Sequence, residues 1–71
     1  MHGIVHLRGH ELIEVKVRDT PYKARTAAIE MAVALGIGEM KAQSQLARLG
    51  FCAVEVDRQD YGRIYVRELT P

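Results

Sequence analysis

The chain has 71 residues, of which 48% are hydrophobic and 27% are charged, a composition typical of a folded domain and not of a disordered segment. Ten Lys and Arg against nine Asp and Glu give a formal net charge of +1, which excludes the strong positive field of a nonspecific nucleic-acid coat. A chain this short cannot divide into two cores, so we expect one domain over residues 1–71.

The cysteine content indicates the compartment. Cys52 is the single cysteine, which excludes an intrachain disulfide, whereas a secreted domain of this size usually requires several. The N-terminal residues show no apolar stretch of signal-peptide length, and no segment approaches the roughly 20 apolar residues of a membrane span. We therefore expect a cytoplasmic protein that has no contact with a membrane.

Two segments near the N-terminus predict strands, at residues 4–8 and 12–18. In the second, Ile13, Val15 and Val17 alternate with mostly polar residues, giving one apolar face and one charged face. The Gly9-His10 pair between the two segments fits the two-residue turn of a hairpin, and a bulge in one long strand would give nearly the same sequence. We favour the hairpin.

Two helices are predicted next. Thr20 and Pro21 indicate a helix start, because the threonine hydroxyl can accept a backbone hydrogen bond and proline is tolerated at the first helical position. This helix is predicted to run to residue 35, where Gly36 offers a left-handed stop, and a second helix is predicted over residues 39–49.

The C-terminal part predicts a closing hairpin. Apolar and polar residues alternate over residues 51–57 and again around Ile64 and Val66, and the polar segment 58–62 between them ends in Gly62, a residue suited to positive φ. The whole series predicts an α+β fold in β-β-α-α-β-β order. We expect a three- or four-stranded, mainly antiparallel sheet with two helices on one face.

No residue pattern predicts catalysis, a metal site or a cofactor, and we expect that the protein is not an enzyme. His2, His6 and His10 could share a metal only on a helix, whereas on a strand this spacing separates the rings by about 13 Å. Cys52 alternates with Val54 along a predicted strand, which favours a buried and inert thiol.

The first predicted helix is apolar on two sides. At about 100° per residue, Ala28 and Met31 lie on one face, and Tyr22, Ile29 and Val33 lie nearly opposite. The second apolar side must be covered either by the other helix or by another chain, and we expect a homodimer.

The function predicted from these features is a small protein-interaction or regulatory module. An alanine-rich helix that opens with Thr-Pro-Tyr, flanked by a strand and a final hairpin, resembles small accessory or regulatory proteins of phages and mobile elements. The resemblance is architectural and assigns no role to any residue. The apolar residues that we expect to contact a protein partner, beside an exposed strand edge, are Tyr22, Ile29, Val33, Met40, Phe51 and Leu69.

DNA binding is the alternative function. Residues 27–69 are similar to the second half of a winged helix, a resemblance that rests on Ala32, Gly36 and Ile37 at the junction of the two helices. It implies that the 39–49 helix reads DNA and that the 58–62 turn acts as a wing. Strands replace the first helix of that family, and the turn is acidic as well as basic. The implied contacts would come from Lys41, Gln43, Ser44, Gln45, Arg48 and Arg58.

Overall fold

A computed structural model describes residues 1–69; the last two residues of the predicted domain, Thr70 and Pro71, lie outside the described residues. The strands within this range form one antiparallel sheet in the order β2-β1-β4-β3. This confirms the predicted α+β fold, with a fourth strand and with the first hairpin in place. The elements are β1 (His2–Arg8), β2 (Glu11–Arg18), α1 (Pro21–Ala34), α2 (Glu39–Leu49), β3 (Phe51–Val56) and β4 (Gln59–Glu68).

The ends of α1 follow the predicted signals. The backbone N–H of Lys23 donates to the Thr20 hydroxyl oxygen at 3.1 Å, which satisfies one of the free N–H groups of the first turn. At the other end, Gly36 has a φ of 110°, and the N–H of Ile37 donates to the Ala32 carbonyl oxygen at 3.0 Å. This backbone pattern ends the helix and turns the chain toward α2. Neither helix in the described part of the chain is long and apolar enough to cross a membrane.

The hydrophobic core lies between one face of the sheet and the two helices. Small side chains on α1 allow the helix to approach the sheet closely, and larger side chains of the strands fill the layer beneath it. Cys52 links the layers, because its thiol Sγ donates to the Ala42 carbonyl oxygen of α2 at 3.5 Å. The buried apolar residues are Ile4, Ala24, Ala27, Ala28, Met31, Ala32, Ile37, Ala42, Leu46, Cys52, Val54 and Ile64.

The apolar face of β2 points away from the helices. Val15 and Val17 pair with Val5 and Gly3 on the side of the sheet opposite the core, whereas the charged side chains of β2 occupy the helix side. A bulge opposite His6 and Leu7 interrupts the alternation. The bulge brings Leu12 to the side of Val15 and Val17, whereas Ile13, which was predicted on that side, lines the cleft beside α1. β2 therefore keeps the predicted two faces only beyond the bulge, and the side that carries Val15 and Val17 does not contribute to the core.

The closing hairpin is present, but the prediction of its turn at residues 58–62 is wrong. The chain turns at Asp57 and Arg58, which have φ values of 52° and 64°, and β4 already begins at Gln59. Positive φ at both central residues matches the tight turn that suits a twisted hairpin. Gly62 does have a positive φ of 101°, but it lies inside β4. It follows a bulge at Tyr61, where β4 passes close to β1.

Candidate interaction surface

The side of the sheet that faces away from the helices is referred to below as the open face. Successive residues of a strand point to opposite sides, so the strand register assigns each side chain to one face. No element within residues 1–69 packs on the open face. Its charged members are Glu55, Asp60, Arg63 and Arg67, and its apolar members are Gly3, Val5, Leu7, Leu12, Val15, Val17, Phe51, Ala53, Tyr65 and Leu69.

The aliphatic half of the open face lies on β1 and β2. Leu12 is 57% exposed, Val15 is 51% exposed and Val17 is 44% exposed, values that are high for aliphatic side chains on a regular strand. Val5 and Leu7 lie beside them and are half-buried. Five aliphatic side chains thus form one contiguous surface, larger in extent than the scattered apolar residues of an ordinary protein surface.

The aromatic half lies on β3 and β4, where two arginines cover the rings. The ring centroids of Phe51 and Tyr65 are 5.3 Å apart. The Arg63 guanidinium carbon lies 5.1 Å from the centroid of Phe51, and that of Arg67 lies 5.2 Å from the centroid of Tyr65. These cation–π contacts hold the planar groups against the sheet, so the arginines are preorganised on the face. Aromatic and arginine side chains are enriched at protein interfaces.

The open face is acidic at one end. Glu55 and Asp60 are directly opposite each other on β3 and β4, next to the tight turn. A depression of about 260 Å³ lies beside them and is lined by Leu7, Asp60, Arg63 and Tyr65, together with two glycines. The acidic pair and Arg67 therefore lie toward opposite ends of the same surface.

Four of the predicted interface residues belong to the helix layer instead. Tyr22 and Ile29 line a groove of about 430 Å³ between α1 and α2, and Tyr22 is 78% exposed. Val33 borders a second depression on α1, and Met40 protrudes from α2 with 84% of its surface exposed. α2 therefore covers the second apolar side of α1 only in part, because Ile29 packs against the core whereas Tyr22 and Val33 stay exposed. Phe51 and Leu69 are on the open face, so the structure divides the six predicted residues between two surfaces.

The residues predicted to contact DNA do not form one surface. Lys41, Ser44 and Arg48 are exposed on α2, and Gln43 lines the groove against α1. Gln45 is half-buried, and its Oε1 accepts a hydrogen bond at 2.9 Å from the backbone N–H of Ala53, so it attaches α2 to the edge strand β3. Arg58 belongs to the two-residue turn, and the wing expected over residues 58–62 is replaced by the start of β4.

A cleft between β2 and α1 brings titratable groups together. It has a volume of about 350 Å³, and its polar lining comes from His6, Glu14, Lys16 and Glu30. His6 is buried and its Nε2 donates to the Tyr61 carbonyl oxygen at 2.8 Å, which fixes the tautomer in the neutral ring. The hydrogen bond gives His6 a structural role, holding β1 to the bulge of β4. Among residues 1–69, no group of three or more His, Cys, Asp or Glu side chains could hold a metal ion.

Cys52 is a buried thiol. Burial raises its pKa above the ordinary value of 9.0, because the charged thiolate would lose its hydration. At neutral pH the side chain is therefore the protonated, weakly nucleophilic form. The predicted buried position is confirmed.

Sequence reasoning missed most of the open face, including Val5, Leu7, Val15, Val17 and Tyr65. The alternation in β2 showed that one side of the strand is apolar, but not which side the helices cover. The available signal was the presence of consecutive apolar residues within strands, as at Ile4-Val5 and Ile64-Tyr65, because neighbouring residues of a strand lie on opposite faces of the sheet.

Comparison of the chain with protein-family models, with curated proteins and with solved structures gives no match.

Proposed function

We propose that the chain is a non-enzymatic protein-interaction module that binds a protein partner on its open face. The observation that carries the proposal is the continuous apolar surface of the sheet, which no element within residues 1–69 covers. Apolar patches of this kind on small domains mark sites of protein contact. Burying the exposed half of one valine or leucine side chain contributes about 1 kcal/mol, so several such residues together supply a useful binding energy.

The composition of the two candidate surfaces favours the open face over the helix layer. The groove between α1 and α2 is lined by Arg25, Glu30 and Glu39 beside Tyr22 and Ile29, and its charged groups would have to be desolvated or paired on binding. The centre of the open face is aliphatic and aromatic, and its charges are at the ends or are stacked on rings. This arrangement matches an apolar interface centre with a charged rim.

Site-specific photo-cross-linking in cells tests the proposal, with a matched pair of tyrosines. A photoreactive phenylalanine analogue at Tyr65 lies on the open face, and the same analogue at Tyr22 lies on α1. We expect a discrete protein adduct from position 65 and none from position 22. An adduct from position 22 alone would contradict the proposal in favour of the helix groove. Cross-linking to DNA from a third site, Arg48, without a protein adduct from position 65, would contradict it in favour of nucleic-acid binding.

A further inference from the structure

We infer that the partner on the open face is a second copy of this chain, packed face to face around a two-fold axis that crosses the strands. The inference rests on the proposed function, because it assigns the occupant of the same surface. It is carried by the distribution of charge along the strands and by the size and shape of the apolar centre.

The charges of the open face are complementary to themselves under this symmetry. Along β4, Asp60 lies at the end next to the turn, and Arg67 lies toward the opposite end. A two-fold axis that crosses the strands between Leu7 and Val5 reverses the strand direction. The acidic end of each copy, with Glu55 and Asp60, then lies over Arg67 of the other copy, and this contact occurs twice.

A two-fold axis parallel to the strands would not give this pairing. The strand order would place β4 of one copy over β1 of the other. Arg63 of one copy would then lie over Leu7 of the other, and Arg67 would lie over Gly3. Neither arginine would contact a carboxylate. Electrostatic complementarity selects orientation at an interface, and here it favours the axis that crosses the strands.

The apolar centre is matched in the same arrangement. Leu7 of one copy lies over Val5 of the other, and Leu12 lies over Val15, because these residues are neighbours along β1 and β2. Aliphatic side chains therefore meet aliphatic side chains, at the separation of about 10 Å that is usual for stacked sheets. The two sheets would then be the inner layers of a four-layer assembly, and the helices of each copy would be its outer layers.

The area of the open face is near the lower limit of specific interfaces, which favours a weak dimer. A face of four strands and about seven residues per strand, at about 4.8 Å and 3.3 Å spacing, has a flat footprint of about 440 Å². Two copies would bury about 900 Å² on this basis. Because side chains protrude from the sheet, the accessible area buried is larger than the flat footprint and approaches the lower range of specific interfaces. We therefore expect dimerisation that depends on protein concentration.

A charge-swap experiment tests the symmetry directly. Glu55 and Arg67 of one chain are separated by about 20 Å along the sheet, too far for a direct contact within the monomer. Arg67→Glu and Glu55→Arg should each raise the dimer dissociation constant about tenfold in sedimentation equilibrium of the purified chain. The double variant should have a lower dissociation constant than either single variant, because the groups at positions 55 and 67 regain opposite charges. The recovery is partial, since Asp60 keeps its negative charge opposite position 67 of the other copy. Arg48→Glu, on exposed α2, is the matched control and should leave the constant unchanged.

A second pair of variants separates the open face from the helix layer. Val15→Lys should leave a monomer at every concentration at which wild type is a dimer, whereas Val33→Lys should not change the dissociation constant. The two valines have similar exposure, 51% and 45%, so a general effect of the substitution would appear in both. Far-UV circular dichroism confirms that each variant is folded.

The outcomes distinguish this inference from the proposed function. A monomeric wild-type chain, or a double charge swap that stays as weak as its single variants, would overturn the second copy as occupant. If position 65 nevertheless cross-links to a different protein, the proposed function stands and only the identity of the partner changes. A dimer that Val33→Lys dissociates and Val15→Lys does not would overturn both.

Discussion

Gly62 is the position where the structure tolerates an added methyl group least. Its φ of 101° lies in the region that side chains rarely adopt. An added Cβ would overlap the Leu7 carbonyl oxygen and would lie 2.8 Å from the carbonyl carbon of the same residue. β1 cannot move away freely, because it is hydrogen-bonded to β2 on one side and to β4 on the other. We expect Gly62→Ala to be strongly destabilising.

The magnitude follows from two contributions. Positive φ costs an alanine about 1 to 2 kcal/mol, and overlap with backbone atoms that cannot retreat adds about 2 to 3 kcal/mol. The sum is about 3 to 5 kcal/mol, against a total stability of roughly 4 to 10 kcal/mol for a chain of 71 residues. Gly9→Ala is the matched control, since Gly9 has a φ of 62° and an added Cβ would meet nothing within 4 Å. Gly9→Ala should therefore lower the free energy of unfolding only by the cost of positive φ, about 1 to 2 kcal/mol.

Urea unfolding followed by circular dichroism measures both variants, in a Val15→Lys background so that self-association does not contribute to the measured stability. The expected result is a loss at Gly62 that exceeds the loss at Gly9 by about 2 kcal/mol or more. Equal losses at the two positions would refute the close approach of β4 to β1.

Three further predictions concern single groups. Thr20→Ala should lower the free energy of unfolding by about 1 kcal/mol through loss of the cap of α1; an unchanged urea midpoint would count against the cap. Arg58→Gly should raise the free energy of unfolding by about 0.5 to 1 kcal/mol, because glycine adopts the positive φ of the turn without strain, and a destabilised variant would contradict that turn geometry. The raised pKa of Cys52 means that the unfolded chain loses the thiol proton first as pH rises through the ordinary value of 9.0, so stability should fall above that pH. Cys52→Ala should remove this decrease in the free energy of unfolding, measured by urea unfolding at a series of pH values. The same pH dependence in Cys52→Ala as in wild type would argue against a buried thiol.

The sequence was sufficient to predict the secondary structure where a local chemical signal existed. Thr20 and Pro21 started α1 as expected, and Gly36 ended it, because capping and left-handed backbone conformations depend on the residues themselves. The closing turn was misplaced because Gly62 carries the same glycine signal as a turn. Its positive φ is required at a bulge that contacts β1, a tertiary contact that the sequence of β4 alone does not show.

The interaction surface could be predicted only in part. Phe51 and Leu69 were expected to contact a protein partner, and they lie on the open face. Val15 and Val17 were recognised as one apolar side of a strand, but whether that side is buried depends on the strand order and on which side of the sheet the helices pack. β2 is an edge strand, and its charged side borders the cleft beside α1, so the usual rule that the apolar side faces the core does not apply to it.

In the proposed function, the open face is covered by another protein surface. The most direct measurement is the relaxation of valine methyl signals by a soluble paramagnetic probe, recorded by NMR on the concentrated wild-type chain. We expect the methyl groups of Val15 and Val17 to be protected from the probe and to become accessible on dilution, while those of Val33 stay accessible throughout. The proposed function is wrong if the methyl groups of Val15 and Val17 remain as accessible as those of Val33 at every concentration of the chain, and also after addition of any protein that cross-links at position 65.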